Sequence, residues 1–561
     1  MHSRPEALSQ IEGKTFDVCV IGGGATGAGC ALDAQLRGLR TVLLEAHDFA
    51  SAASGASTKL AHGGVRYLEQ AVTKFDPERF RMVRVALRER LLMLRNAPYL
   101  ARPIELLVPC LRWSEVLYFE AGMKIYDWIA GAAGIARSHY ISRDESVRRL
   151  PLLKTDGLLG TISYSDGQFD DARYNVALVE SFAAAGGMAL NHATVTGFES
   201  AVAADRAAAA VQRLTGARVR DELSLRTFTV RARVFVNATG AVSDSTRRLA
   251  NPNLLKRLSP SKGVHVLFPV EHFSEGSALL VPKTDDGRVV FAIPWGGRLL
   301  VGTTETDLVD DKLVRREEIE FLLRQINRYL RRPLRREEAV SGFAGLRPLI
   351  GASGVESTSE LSRDHEVEVD STSGLISILG GKWTTYRAMA EDTIDAVQHA
   401  LGMKVSQCLT SEHALAGCNG YHPDLWQSLV RDFDLRRETA RHLVGKYGSR
   451  AEQVLRIALE NEELRGPVVS ELPFIRAELV FVIRHEMAST IEDVLARRLG
   501  LQLMGWRSAI QAAPVAAEYL ARELGWSAEQ QRAAVEKYVA RLNLFLEAAG
   551  LAAESPNIIR S

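Results

Sequence analysis

The sequence predicts an α/β chain whose parallel sheet is assembled from distant segments, followed by a separate helical domain. Three observations predict it. The β-branched run FDVCVIGG (Phe16–Gly23) ends in glycines and opens onto the helix-like ATGAGCALDAQLRG, which is followed by LRTVLLEA. Two runs of the same texture, VRARVFVNATGAVSD (Val230–Asp244) and LISILGGKWTTYRAMAED (Leu375–Asp392), stand far downstream. From about Ser411 turn signals thin out and a 3.6-residue periodicity takes over, as in Ile475, Leu479, Val482 and Ile483.

In the first unit, Gly38 closes the helix as a residue of positive φ would. Strand, helix and strand in this order predict a nucleotide-binding sheet with long insertions between its strands. The expected division is 14–100, 168–262 and 340–400 for a discontinuous nucleotide-binding domain, 101–167 and 263–339 for an α+β substrate domain covering it, and 411–550 for the C-terminal helical domain.

Composition narrows the classes. Of the 561 residues, 46% are hydrophobic and 24% charged, which suits a folded globular protein and excludes a disordered or collagen-like chain. Lys and Arg (69) nearly balance Asp and Glu (68), so no overall field draws the protein to nucleic acid, and any anion site must be local. Five scattered cysteines without CxxC spacing argue against a disulfide framework or a structural zinc site; no metal is expected, and a reducing compartment is. The first residues lack the apolar run of a secretory signal, and no apolar run reaches the length of a membrane span, so the expected location is cytoplasmic, with any membrane contact peripheral.

Gly22-x-Gly24-x-x-Gly27 follows a predicted strand and opens a predicted helix, the context that makes it a Rossmann dinucleotide fingerprint. Gly22 allows the tight turn, Gly24 the approach of a pyrophosphate, and Gly27 close packing of helix on strand. Glu45, twenty-one residues after Gly24, is placed to accept hydrogen bonds from ribose hydroxyls and disfavours a 2′-phosphate. The fingerprint alone does not separate FAD from NAD. A second glycine turn, Gly240 in NATG, favours a flavin enclosed by one large discontinuous domain.

Two longer signatures carry a resemblance: IGGGATGAGCALDAQLRG (Ile21–Gly38) and GGKWTTYRAMA (Gly380–Ala390). Between them, in order, stand SGASTKLAHGGVRYLE, YSDGQFDDAR, SKGVHV, IPWGGRLLVGTTET, GLRPL and SRDHEV, with a weaker continuation in RHEMASTIEDVLARR (Arg484–Arg498). On these residues the chain resembles the FAD-dependent, aerobic-type glycerol-3-phosphate dehydrogenase family, with a glutathione-reductase-like fold. The resemblance implies FAD as cofactor, sn-glycerol 3-phosphate as substrate, dihydroxyacetone phosphate as product, hydride transfer from C2 to flavin N5, and a quinone as electron acceptor. The alternatives are an oxidase passing electrons to oxygen, an amine- or sarcosine-type oxidase, and a non-catalytic flavoprotein. No large insertion of the kind associated with the oxidases of this family is apparent, which favours the dehydrogenase.

Oxidising a phosphorylated secondary alcohol needs an anion site and a base. Arg66, Arg347 and Arg363 sit in apolar or glycine-rich settings and are the substrate-anion candidates, with Tyr67 beside them; the alternative for each arginine is an internal ion pair. His62 and His265 are the candidate bases, His62 with cofactor contact as a competing role. Lys382 follows two glycines at a helix start, where backbone amides, those of Gly381 included, can stabilise negative charge on reduced flavin and the lysine can reach substrate. Ser54, Ser57 and Thr58 suit phosphate or ribityl contacts as in the family, and Thr384 can cap the helix or touch the flavin. EVLYFEAGMKIYDWIAG (Glu115–Gly131) reads either as an interfacial amphipathic helix at the cytoplasmic face of a membrane or as an ordinary soluble helix. The oligomeric state, a homo-oligomer included, is left open.

Overall fold

The computed structural model describes residues 1–64, 68, 75–203, 211–269, 273, 276–306, 311–351 and 365–552. The candidates Arg66, Tyr67 and Arg363 lie outside the described residues.

Strand β1 (Thr15–Ile21) carries Val18, Cys19 and Val20 without a polar alternation, and all three are fully buried, as a strand covered on both faces requires. It pairs in parallel with β2 (Thr41–Leu44) on one side and β10 (Thr227–Asn237) on the other. Beyond them, β7 (Met188–Leu190) pairs with β2, and β17 (Ile376–Gly380) pairs with β10. The three glycine-terminated runs of the sequence are therefore adjacent strands of one parallel sheet. Register fixes the outcome: Ile21 stands opposite Asn237, and Asn237 opposite Ser377. Because the strands are parallel, the turns that follow them open at the same edge. The long hairpin β8 (Ala193–Ala203) and β9 (Val211–Asp221) joins this sheet through β10, and β16 (His365–Val369) closes it antiparallel to β17.

Two glycines are dictated by the protein itself. A Cβ on Gly27, in the helix Ala25–Leu36, would stand 1.8 Å from the Gly22 carbonyl oxygen, and Gly22, at φ +110°, has the Ala238 carbonyl 2.5 Å from its own Cβ position. The helix is thus seated directly on the β1 and β10 turns.

The second sheet runs β15 (Ser341–Arg347), β11 (Ser261–Pro269), β14 (Arg298–Gly302), β13 (Val290–Trp295), β12 (Ser277–Val281), β4 (Ala101–Cys110), β6 (Gly160–Phe169) and β3 (Leu60–Ala61), with β5 (His139–Ser142) on β6. Two segments that the sequence reading grouped with the nucleotide-binding unit hydrogen-bond here instead. Residues 341–347 pair with β11, Lys262 opposite Leu346 and His265 opposite Phe343, and residues 60–61 pair with β6. Their glycines explain the first case: Gly342 and Gly345 let β15 lie against the His265 carbonyl and against Ala56 with no side chain intervening.

Helices between Leu425 and Ala548 form the C-terminal region. Their apolar faces continue the core of the second sheet, Trp506, Leu499 and Leu501 joining Val264, Ala344 and Leu300 in one cluster. Hydrogen bonds sew the two together: Trp506 N donates to Val340 O (3.0 Å) and the Ser341 hydroxyl to Leu503 O (2.5 Å).

Candidate active site

The groove begins at the glycine turn after β1. Glu45, just past β2, accepts from the Gly23 amide (2.6 Å) and from the His47 amide (2.9 Å). Burial pushes its carboxyl above the usual range, against the pull of those two bonds. Asn175 donates to the Gly23 carbonyl (2.9 Å), so the peptide groups on both sides of Gly23 are held. Ser54 Oγ accepts from the Ala25 amide (2.9 Å), at the first turn of the Ala25–Leu36 helix. Around Gly24, a Cβ would meet only the Ser54 side chain, nearest at 2.9 Å, and a Cβ on Gly240 would meet nothing within 4 Å. Gly22 and Gly27 thus serve packing, whereas Gly240 borders open space and Gly24 is faced only by the Ser54 side chain, a form that suits a cradle for a dinucleotide.

Segment 53–59 carries the groove toward the second sheet. Trp383 Nε1 donates to the Ser54 carbonyl (2.9 Å), its indole packed edge-on against Phe169 and Tyr174. Ala56 touches Gly345 of β15. Ser57 donates to Asp171 from both its amide (2.9 Å) and its hydroxyl (2.7 Å), and its Oγ accepts from the Lys59 amide (3.1 Å). Its hydroxyl is therefore engaged inside the protein by Asp171 and Lys59. Thr58 Oγ1 is hydrogen-bonded to His265 Nε2 (3.0 Å).

His265, on β11, is buried and stacked on Phe343 of the neighbouring strand, ring centroids 4.9 Å apart. Burial drives its pKa well below the ordinary value, and the nearby Arg347 and Lys59 charges push the same way. Its Nδ1 is buried with no hydrogen-bond partner among the described residues. Arg347, at the end of β15, donates to Thr303 Oγ1 (2.9 Å) and lies 3.6 Å from Glu305, which is also 3.6 Å from Arg288. The internal ion pair weighed as the alternative for Arg347 is present, with the arginine side chain about a quarter exposed.

His62 enters from the other side, its amide donating to the buried Thr384 hydroxyl (3.3 Å). The next amide, Gly63, donates to Tyr126 Oη (2.9 Å), which in turn donates to Asp166 (2.9 Å), the partner of buried Arg90 (2.6 Å). Lys382 is half-buried and stands at the head of Trp383–Thr385 and the helix Tyr386–Ala400, with Gly381 before it at φ +84°. The bonds Ser54–Trp383, His62–Thr384 and Thr58–His265, with the Ala56–Gly345 contact, thus tie the 53–59 loop and the 62–63 segment to the turn after β17 and to β11 and β15. Trp383, Asp171, Tyr126, Asp166 and Glu305 were not singled out from the sequence. All five lie inside segments quoted above, so their neighbourhood is legible in the sequence, but their partners, Ser54, Ser57, Gly63, Arg90 and Arg347, are brought to them only by folding.

Comparison with known proteins gives this geometry a family. Residues 17–387 match the model described as FAD dependent oxidoreductase, and residues 408–531 match the C-terminal domain of alpha-glycerophosphate oxidase. The chain is 39% identical over 541 residues to the mitochondrial glycerol-3-phosphate dehydrogenase of Bos taurus, covering 95% of this chain and 73% of that protein. It is 40% identical over 543 residues to the mitochondrial glycerol-3-phosphate dehydrogenase of Arabidopsis thaliana, covering 93% and 85%. The glycerol-3-phosphate dehydrogenase from Bacillus halodurans, solved as a complex with FAD, superposes with a TM-score of 0.77 at 29% identity, covering 99% of each chain. The chain belongs to the FAD-dependent glycerol-3-phosphate dehydrogenases.

Proposed function

We propose that this protein oxidises sn-glycerol 3-phosphate to dihydroxyacetone phosphate and passes the electrons to a quinone. The observation that carries the reading is the junction of His265 and Arg347, on adjacent strands, with the loop that borders the cofactor groove. FAD, when bound along Gly22–Gly27, supplies the two-electron acceptor to which the C2 hydrogen passes as hydride at N5. The open space at Gly240 and the Gly24 backbone, faced only by Ser54, fit its pyrophosphate side, and the orphaned His265 Nδ1 fits a hydroxyl-bearing ligand on the other.

The protein's own groups divide the remaining work. Arg347, held by Thr303 and Glu305, offers a fixed cationic fork for the phosphate, and Arg66, Tyr67 and Arg363 are further candidates there through the family resemblance. His265, neutral because it is buried beside two cations, is competent to take the C2 hydroxyl proton, while its bond to Thr58 fixes the ring. His62 is the second candidate base, or a group that lines the cofactor through the backbone held by Thr384 and Tyr126. Lys382 and the amides at the start of its helix bring positive potential to the place where negative charge develops.

Peripheral membrane attachment fits a quinone acceptor. No helix among the described residues is long and apolar enough to cross a membrane. The helix Trp113–Ala130 buries Val116, Met123 and Tyr126 and turns Trp113 (63% exposed), Leu117 (70%) and Trp128 (78%) outward along one face. Aromatic and apolar residues on an outward face suit the interfacial region of a bilayer. We place the protein on the cytoplasmic face of a membrane by this helix.

Three outcomes follow. Anaerobic mixing with sn-glycerol 3-phosphate should bleach the flavin, and Arg347→Lys should raise the substrate concentration needed about tenfold or more with FAD content unchanged; no bleaching removes the substrate, and a normal requirement in the variant removes Arg347. A base that must be neutral works until pH falls through its pKa, so the acid limb of kcat/KM should lie below about 6.5, the ordinary histidine value; a limb above that value excludes His265. Leu117→Ser combined with Trp128→Ser should release the protein from phospholipid vesicles in a sedimentation assay, and unchanged binding would assign attachment elsewhere.

A further inference from the structure

Away from the groove, the densest buried charge lies where the C-terminal helices meet the loop after β2. Asp48 is fully buried and receives Arg498 through both oxygens (2.6 and 2.9 Å), Arg497 (2.7 Å) and Asn191 (3.0 Å). Arg497 also holds Asp493 (2.8 Å) and Glu492 (2.7 Å), and His192 lies 2.8 Å from Asp493. Arg498 further donates to the Glu486 carbonyl, and the Glu486 carboxylate takes Arg173 in a two-pronged pair (2.5 and 2.9 Å). Asp48, His192 and Asp493 each offer a ligand atom within 4.8 Å of the others, but two guanidinium groups already neutralise the acids, so the cluster is an ion-pair network rather than a cation site.

Its placement gives it a function. Phe49, fully buried beside Asp48, packs against the Gly23 peptide, where a Cβ would come within 2.7 Å of its ring, and the Arg498 guanidinium lies over the same ring at 6.0 Å. Ala50 is held at φ +63°, a left-handed conformation that a residue with a side chain rarely adopts and keeps only where the surroundings enforce it. Its amide donates to the Gly23 carbonyl (3.4 Å), and its carbonyl leaves only 2.4 Å for a Cβ on Gly55. The turn 48–50 therefore supports both walls of the cradle, the Gly22–Gly27 loop and the Ser54–Gly55 segment, and it is itself fixed from the C-terminal region.

We infer that the C-terminal helical region is a working part of the cofactor site: Arg498, with Arg497, positions Asp48 and so holds Phe49 and Ala50 beneath the cradle, making FAD affinity a property of residues 484–498. Arg498 is a positioning residue and touches neither cofactor nor substrate. The inference rests on FAD lying along Gly22–Gly27.

Deflavinated protein titrated with FAD, followed by the quenching of flavin fluorescence, tests it, with thermal unfolding of each apo-protein measured alongside. Arg498→Lys keeps the charge but loses the fork and should weaken FAD binding about tenfold or more. Ser341→Ala removes the hydroxyl bond to the Leu503 carbonyl, where the C-terminal region meets the second sheet outside the ion-pair network, and should change FAD binding by no more than about twofold even where it lowers the unfolding temperature as far. If Arg498→Lys does not accumulate as folded protein, Asp48→Asn, which preserves shape, should show the same loosening. Wild-type FAD binding in both Arg498→Lys and Asp48→Asn, or equal loosening in Ser341→Ala, overturns the inference; absence of FAD binding by the wild type overturns instead the cofactor placement beneath it.

Discussion

A lysine with no access to water must find a counter-charge, and Lys59 finds it in Asp171, itself fully buried. That ion pair stands where the two sheets meet. Lys59 reaches the Gly55 carbonyl (3.1 Å), and its ammonium lies over Phe343 (4.8 Å) and Trp295 (5.3 Å) of the second sheet. Asp171 begins the helix Asp171–Ala184 under the first sheet and also holds Ser57. One buried pair thus fixes the segment carrying Ser54, Ala56 and Thr58 against both halves of the molecule. Without it, Thr58 would not meet His265, nor Ala56 the floor of β15.

Electrostatics at the seam follow from the same economy. Burial, helped by the Arg347 and Lys59 charges, lowers the His265 pKa, and the Phe343 ring contacts both the lysine and the imidazole. Placing a neutral imidazole next to cations that also favour an anion combines two requirements of alcohol oxidation in one location. On the far side of the cradle, the C-terminal arginines anchor Asp48, so the cofactor loops are braced by buried charge from two directions.

Much of this was legible in the sequence, for physical reasons that differ by element. The three strand-glycine-helix units were readable because parallel strands buried on both faces leave continuous β-branched runs, and their turns need glycine. The strand 341–347 was misplaced because SGFAGLR lacks that texture and owes its place to close backbone approach through Gly342 and Gly345. Ser57 read as a ligand-facing hydroxyl in a Ser/Gly/Ala loop, since nothing local announces that Asp171, more than a hundred residues away, will claim it. The C-terminal periodicity revealed helices but not that Arg497 and Arg498 point inward, because one-dimensional patterning reads an arginine pair at a helix end as solvated.

The central claim is that a C2 hydrogen of the substrate leaves as hydride within the groove that His265 and Arg347 border. Single-turnover bleaching of the flavin by sn-glycerol 3-phosphate deuterated at C2 measures that transfer directly. Deuterium at C2 should slow the bleaching, and deuterium at C1 or C3 should leave it nearly unchanged. Equal rates for the C2-deuterated and ordinary substrates, or slowing that follows deuterium at C1 or C3, would contradict it.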